Sequence, residues 1–332
     1  MSAFAPRVHD HWFPIALSER VSAMPSRVIL FGEPRVVTRI GGDVSVLEDR
    51  CAHRGVPLSR GRLAHGALEC PYHGWRFGAD GRCVHMAGAP AGKPLSDVRV
   101  PALHVREHDG VVWVNNRADG ALPDRVLAMA PGARRFLWQS LWRAPIVDVL
   151  ENFLDPLHTH TIHPGLVRRD DRRVSARAVL DVTGDGVRVD YTGNETQSGL
   201  LFKLFESRRT VERAWLSSLA VAQLEYRYAS GWAAFITLHC APETATTTHV
   251  FATLHVEGRF APAWLVKRLV WPFLRCVATQ DQRVLEMQQV ARADFPARRE
   301  LVSPLDLVRP YVERAWAGEA LAPAHREIAL EL

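Results

Sequence analysis

The chain has 332 residues, 47% of them hydrophobic and 23% charged, a balance that excludes a disordered, collagen-like or low-complexity polypeptide. Its 41 Lys plus Arg against 36 Asp plus Glu leave a net charge of +5. The basic residues are interspersed with acidic ones and form no tract, so no nucleic-acid partner is expected.

Residues 1–13 carry Pro6, Arg7, His9, Asp10 and His11 and lack the apolar stretch of a signal peptide. Five cysteines, an odd number, argue against a disulfide framework, and a cytoplasmic chain is expected. Short β-type runs at 35–40, 44–47 and 111–115, punctuated by Gly41-Gly42-Asp43, 78–81 and Asp109-Gly110, predict a small all-β module in the first third. Turn-prone residues from Asn116 to Asp124 interrupt that pattern, and the expected domains are 8–116 and 117–332. Beyond the boundary, 147–162 reads as helix, while 173–191, 210–228, 233–240 and 246–257 contain strands.

From 263 to 293 the period becomes helical, with Val266, Val270, Leu274, Val277, Val284 and Leu285 on one stripe and a kink expected at Pro272. The stretch 263–278 is also the nearest approach to a membrane span, but Lys267, Arg268, Pro272 and Arg275 interrupt it, and no membrane association is expected. Strands followed by a long C-terminal helix predict an α+β architecture. No G-x-G-x-x-G occurs, so the chain is not expected to bind a dinucleotide of its own.

Fifteen histidines are the compositional anomaly. Cys51-Ala52-His53 is followed, after sixteen residues, by Cys70-Pro71-Tyr72-His73. Two thiols and two imidazoles at this spacing point to a metal, and a closed tetrahedral zinc site is one reading. Cys precedes His in both pairs, which also suits a binuclear iron–sulfur centre with two cysteines on one iron and two histidines on the other. Cys83, Cys240 and Cys276 fall outside the pattern and read as small apolar residues.

A second cluster, Asn152-Phe153-Leu154-Asp155-Pro156-Leu157-His158-Thr159-His160-Thr161-Ile162-His163-Pro164, places polar groups in an apolar helical stretch. Asp155 and His158, three apart, are expected to share a helical face. His158 and His163 are five apart, roughly 140° around a regular helix, so one unbroken helix cannot aim both inward. Pro164 disfavours helix at His163, and a break there brings His163 back toward His158. Two histidines and a carboxylate make a mononuclear iron(II) site with open positions. Asp281, four after Val277 and three before Val284, puts a carboxylate in the apolar stripe of the C-terminal helix, where either an arginine or a metal would satisfy its charge.

The runs Cys51-Ala52-His53-Arg54-Gly55-Val56-Pro57-Leu58-Ser59 and Cys70-Pro71-Tyr72-His73-Gly74-Trp75 resemble the two loops of a Rieske centre. Asn152, Asp155, His158 and His163 match N-x-x-D-x-x-H-x-x-x-x-H, so the whole chain resembles the catalytic α subunit of Rieske non-haem iron aromatic-ring-hydroxylating oxygenases. The resemblance implies an N-terminal all-β Rieske domain followed by a helix-grip domain, an antiparallel sheet cupping a long helix. It implies Cys51, His53, Cys70 and His73 on a [2Fe–2S] cluster, His158, His163 and Asp281 on a mononuclear Fe(II), Asp155 as the bridge to a Rieske histidine, and Asn152 near the iron.

Gly55 and Gly74 would let the backbone approach the cluster. Asp281, followed by Glu286 and Gln288, is similar to the family's late D-x-x-x-x-E-x-Q region. The expected function is that of a terminal oxygenase that uses O2 and electrons from NAD(P)H to hydroxylate or oxidatively demethylate a small aromatic or other apolar substrate. The electrons would come from a separate NAD(P)H-dependent reductase, alone or through a ferredoxin. The family also implies a head-to-tail homotrimer in which the Rieske domain of one subunit faces the iron domain of the next. The short chain resembles the α-only group of vanillate and dicamba O-demethylases. The rival reading is a Rieske electron-transfer or binding protein without an active mononuclear iron. Trp215, Trp232, Phe235 and Phe205 are aromatic residues of the catalytic half, with core packing their expected role.

Overall fold

The computed structural model describes residues 4–90, 97–120, 122, 134–184, 186–258 and 263–332. The expected interdomain stretch lies partly outside them, at 121, 123 and 124. The chain divides into two compact units, Met1–Ala121 with Ala241–Ala245, and Leu122–Cys240 with Thr246–Leu332.

The first unit is all β. One sheet pairs β1 (Phe13–Leu17) with β10 (Val111–Asn115) and β9 (His104–His108), and a second joins β2 (Ser26–Leu30), β3 (Glu33–Ile40) and β4 (Asp43–Glu48). The third is built of short strands, β5 (Arg62–Ala64), β6 (Ala67–Glu69), β7 (Arg76–Phe77) and β8 (Cys83–His85). Its core gathers Val36, Leu47, Leu58, Leu68 and Phe77 around Cys51 and Cys70. Burial of these side chains fixes where the two cysteine loops leave the sheet.

The second unit is an eight-stranded sheet in the order β11-β17-β16-β15-β14-β13-β12-β18. The strands are β11 (Arg134–Trp142), β12 (Ser175–Thr183), β13 (Gly186–Thr192), β14 (Arg209–Ser218), β15 (Val221–Tyr228), β16 (Ala233–Thr244), β17 (Thr247–Glu257) and β18 (Ala324–Glu331). Each pairing with a described register is antiparallel. Burial alternates along β12, so one face of the sheet is apolar and needs a cover.

Among the described residues the α-helices are α1 (Ile146–Leu154), α2 (Thr159–Ile162), α3 (Leu200–Phe205), α4 (Ala263–Asp294) and α5 (Arg309–Trp316). α4 covers the part of the sheet formed by β15 and β17, where Val266, Val270 and Leu274 pack with Tyr228, Leu254 and Val256, and the helix continues through Pro272. An antiparallel sheet holding a long helix is the architecture that the family resemblance implies, and it fits the α+β class read from the strands and the C-terminal helix. Cys83 and Cys240 are buried, but Cys276 is exposed, two residues and about 200° beyond Leu274 on α4, and is not a core residue. Among the described residues no helix is long and apolar enough to cross a membrane.

Candidate metal centres and active site

In the first unit the two cysteine loops repeat one backbone design. Cys51 N–H donates to Val56 O at 2.9 Å and Gly55 N–H to Cys51 O at 2.9 Å. Cys70 N–H donates to Trp75 O at 2.8 Å and Gly74 N–H to Cys70 O at 3.2 Å. Each turn closes through a glycine in the left-handed region, φ +71° at Gly55 and +67° at Gly74. A side chain there is strained, so the glycines are explained by the turn itself.

The loops are also fastened at their ends. Asp49 accepts both the N–H and the hydroxyl of Ser59 at 2.7 Å, closing the first loop. Arg76 Nε donates to Glu69 Oε2 at 2.8 Å across a register pair of β6 and β7, closing the second. Hydrogen bonds from Arg76 and Arg62 hold the Glu69 carboxyl below its ordinary range.

Cys51 and Cys70 are buried while His73 is exposed and His53 half-buried, so the thiols lie inward and the imidazoles outward. The His53 and His73 rings are 4.5 Å apart, and His53 stacks on Trp75 at 4.5 Å and 5°. Burial pushes the Cys51 thiol up, opposed by the backbone amides of His53 and Arg54. Desolvation, then the neighbouring His73 and Arg54 charges, hold His53 below its usual value, in the neutral form that ligates metals. Its buried Nδ1 has no hydrogen-bond partner. Two buried thiols and an orphaned imidazole nitrogen beside a second imidazole fit a cluster of mixed sulfur and nitrogen ligation.

In the second unit the candidate active site begins on α1, which buries Ile146, Val149, Leu150 and Leu154 as one stripe. Thr248 Oγ1 donates to Ala144 O at 2.8 Å, and buried Asp148 pairs with Arg292 of α4 and Arg309 of α5. The helix stops at Leu154, earlier than expected, because Asp155 precedes Pro156 and takes an extended conformation, φ −89° and ψ 121°. Asp155 and His158 therefore do not share a helical face. A turn joins them instead, with Leu157 N–H donating to Asp155 Oδ1 at 2.9 Å and Asp155 Oδ2 lying 3.9 Å from His158 Nδ1. The short α2 follows, and His163 leaves it at φ −115° and ψ 51°.

These two breaks bring His158, His163 and Asp281 together, with donor atoms all within 4.8 Å of one another. Asp281 Oδ1 is 3.4 Å from His158 Nε2 and 3.1 Å from His163 Nε2. Two donors each about 2.1 Å from one ion and about 90–110° apart lie about 3.0–3.4 Å from each other, so both separations fit a shared metal. His163 Nε2 and Asp281 Oδ1 are buried without hydrogen-bond partners, as ligand atoms reserved for an ion would be, while His158 turns its Nε2 to the group and its Nδ1 toward Asp155.

Without metal, burial opposes protonation of His158, but Asp155 and Asp281 push its pKa up to about 9. Asp281 is desolvated yet held below its ordinary value by the two imidazoles. Gln280, which the sequence reading did not single out, lies with its Oε1 2.9 Å from His163 Nδ1. Accepting that proton leaves Nε2 as the free lone pair. Only its place beside Asp281 in the chain hinted at it. His160 is buried but is not part of the group.

The group opens on a cavity of about 710 Å³ that Asn152 and Asp155 also line. Alternate residues of the sheet form its wall, among them Tyr226 and Tyr228 of β15, Ile236 and Leu238 of β16, and Leu254 and Val256 of β17. Trp232 and Trp138 line it; Trp215 and Phe235 do not, and the Phe205 side chain lies outside the described residues.

Comparison with known proteins matches residues 11–102 to the Rieske [2Fe-2S] domain and residues 142–315 to the vanillate O-demethylase oxygenase C-terminal domain. The oxygenase component of dicamba O-demethylase from Stenotrophomonas maltophilia is 30% identical over 214 residues, 63% of each chain. The oxygenase subunit of 3-chlorobenzoate-3,4-dioxygenase from Comamonas testosteroni is 40% identical over 175 residues, 49% of this chain and 40% of that one. The chain thus spans less than two thirds of these curated relatives. The crystal structure of dicamba monooxygenase bound to dicamba superposes with a TM-score of 0.80 at 22% identity, covering 94% of this chain and 96% of that one, which shows the fold. The C-terminal match alone takes in more than half of the chain, and together with the Rieske match it makes this polypeptide a member of the Rieske oxygenase α-subunit family with a vanillate O-demethylase-type C-terminal domain.

Proposed function

We propose that the chain is the terminal oxygenase component of a Rieske oxygenase system, hydroxylating or oxidatively demethylating a small aromatic or other apolar substrate. The observation that carries the reading is the convergence of His158, His163 and Asp281, with unpartnered buried donor atoms, at an apolar cavity. An electron carrier without a mononuclear iron has no use for these donors, which disfavours that alternative.

In this reading Cys51, Cys70, His53 and His73 hold the [2Fe–2S] cluster, and His158, His163 and Asp281 hold iron(II). The iron supplies dioxygen activation, with electrons stored at the cluster and delivered by an NAD(P)H-dependent reductase, alone or through a ferredoxin. The apolar wall binds the substrate and excludes water, while Asn152 and Asp155 contribute polar groups to the lining. Gln280 fixes the ring of His163. Asp155 accepts the Leu157 N–H on one oxygen and faces His158 with the other; its side chain, 30% exposed, has room for a further imidazole. That imidazole is a Rieske histidine of the next subunit in a head-to-tail homotrimer, and the assembly works in the cytoplasm.

The test is oxygen consumption by the purified chain with a reconstituted reductase and NADH across a panel of substituted aromatics and aryl methyl ethers. Substrate-dependent uptake with stoichiometric oxidised product supports the proposal. A chain with cluster and iron both loaded that reduces no oxygen with any member of the panel contradicts it.

A further inference from the structure

The segment holding Asp155, His158 and His163 has little regular structure of its own, so something else must fix it. Arg168, with its side chain 4% exposed, lies five residues after His163 and reaches back over the segment. Its Nη1 donates to Pro156 O and to Thr159 Oγ1, both at 3.0 Å. Pro156 and Thr159 bracket Leu157 and His158, so the guanidinium grips the turn that sets the spacing between Asp155 and His158.

The other edges of the same guanidinium are anchored. Nε donates to Gln197 Oε1 at 2.6 Å and Nη2 to Glu212 Oε1 at 3.1 Å. Glu212, on β14, is fixed in turn by Arg209 Nη1 at 2.7 Å and Asn194 Nδ2 at 2.9 Å. The chain from His163 to Arg168 closes on itself, with Gly165 N–H donating to Arg168 O at 2.8 Å and Leu166 N–H to His163 O at 3.0 Å. Gly199 lets the strap sit close, since a Cβ there would lie 2.0 Å from Val167 O. A well-packed apolar side chain fills such a space without the desolvation cost of a buried ion pair. It does not supply two donors aimed at Pro156 and Thr159.

We propose that Arg168 is a positioning residue for the metal group, a buried fork that ties both ends of the ligand-bearing segment to β14. The proposal rests on His158, His163 and Asp281 being a metal-ligand set. The experiment is anaerobic equilibrium dialysis of the cluster-bearing protein against Fe(II), with iron counted per chain and the cluster spectrum and metal-free Tm as controls of folding. Arg168→Met leaves Glu212 paired with Arg209, so no carboxylate is stranded. Its affinity for iron is expected to fall about 10- to 100-fold, the scale on which groups behind a ligand act.

Arg168→Lys keeps the charge but not the fork and is expected to fall similarly, and Thr159→Val by about tenfold. Wild-type affinity in Arg168→Met overturns the proposal; should that variant not accumulate, wild-type affinity in Thr159→Val does the same. Full recovery in Arg168→Lys also overturns it, because charge alone would then suffice. A wild-type chain that takes up no iron beyond its cluster rejects the ligand set itself, and the proposal with it.

Discussion

Replacing Asp281 by Asn keeps the outline of the side chain and removes its charge. In the metal-free protein Asp281 and Asp155 raise His158 from 6.5 to about 9. That displacement is worth on the order of 3 kcal/mol. The His158 side chain is only 16% exposed, so solvent screening removes little of it. Loss of one of the two carboxylates takes away on the order of half, about 1–2 kcal/mol.

The effect on the metal is larger. A group behind a ligand is worth about 10- to 100-fold in affinity, and Asp281 sits among the donors themselves, so a loss of at least about 100-fold is expected. Iron at about 100 times its Kd stabilises the wild type by about 2.7 kcal/mol. For a unit of about 200 residues this is a rise in Tm of roughly 5–11 °C, which should vanish in Asp281→Asn. Calorimetry with and without Fe(II), on protein with an intact cluster, reads this directly. An Asp281→Asn chain whose Tm still climbs with Fe(II) by the wild-type amount refutes the assignment.

Asp155→Asn is expected to keep both metals and lose turnover by about 100-fold, the scale of a positioned proton-holding group; full activity with both metals bound rejects its bridging role. The raised pKa of His158 stabilises the metal-free fold fully below the unfolded value of 6.5, and that contribution is lost as pH climbs through about 9. Iron must displace this proton, so apparent Fe(II) affinity should rise about tenfold per pH unit over that window, and a flat profile in anaerobic titrations contradicts the geometry. Asp148→Ala faces the Arg292 and Arg309 guanidiniums with a void. A cost of about 3 kcal/mol, or roughly 6–12 °C in Tm, is expected, and an unchanged melting curve excludes that network as the anchor of α1.

The cluster loops were legible because each is contiguous: thiol, imidazole and turn glycine follow one another within five residues, so local chemistry carries the signal. Asp281 was legible because a carboxylate in an apolar stripe needs a partner whatever surrounds it. The sequence predicts the helix break at His163-Pro164, but the same rule acts first at Asp155-Pro156, and there the helix ends. Arg168, Glu212 and Gln280 left no such signal. Their partners come from distant strands and helices, and nothing in the chain around Arg168 distinguishes a buried fork from a surface arginine until β14 and the 194–199 segment are folded beside it. β11 and β18, the two edge strands, were likewise not singled out, since β18 mixes charged and apolar residues along a largely exposed edge.

One chain is expected to hold two distinct iron sites. Iron and acid-labile sulfide measured together on the anaerobically purified protein test it most directly: about three irons and about two sulfides per chain are predicted. About two irons with two sulfides after saturation with Fe(II), or a colourless protein containing zinc, contradicts it.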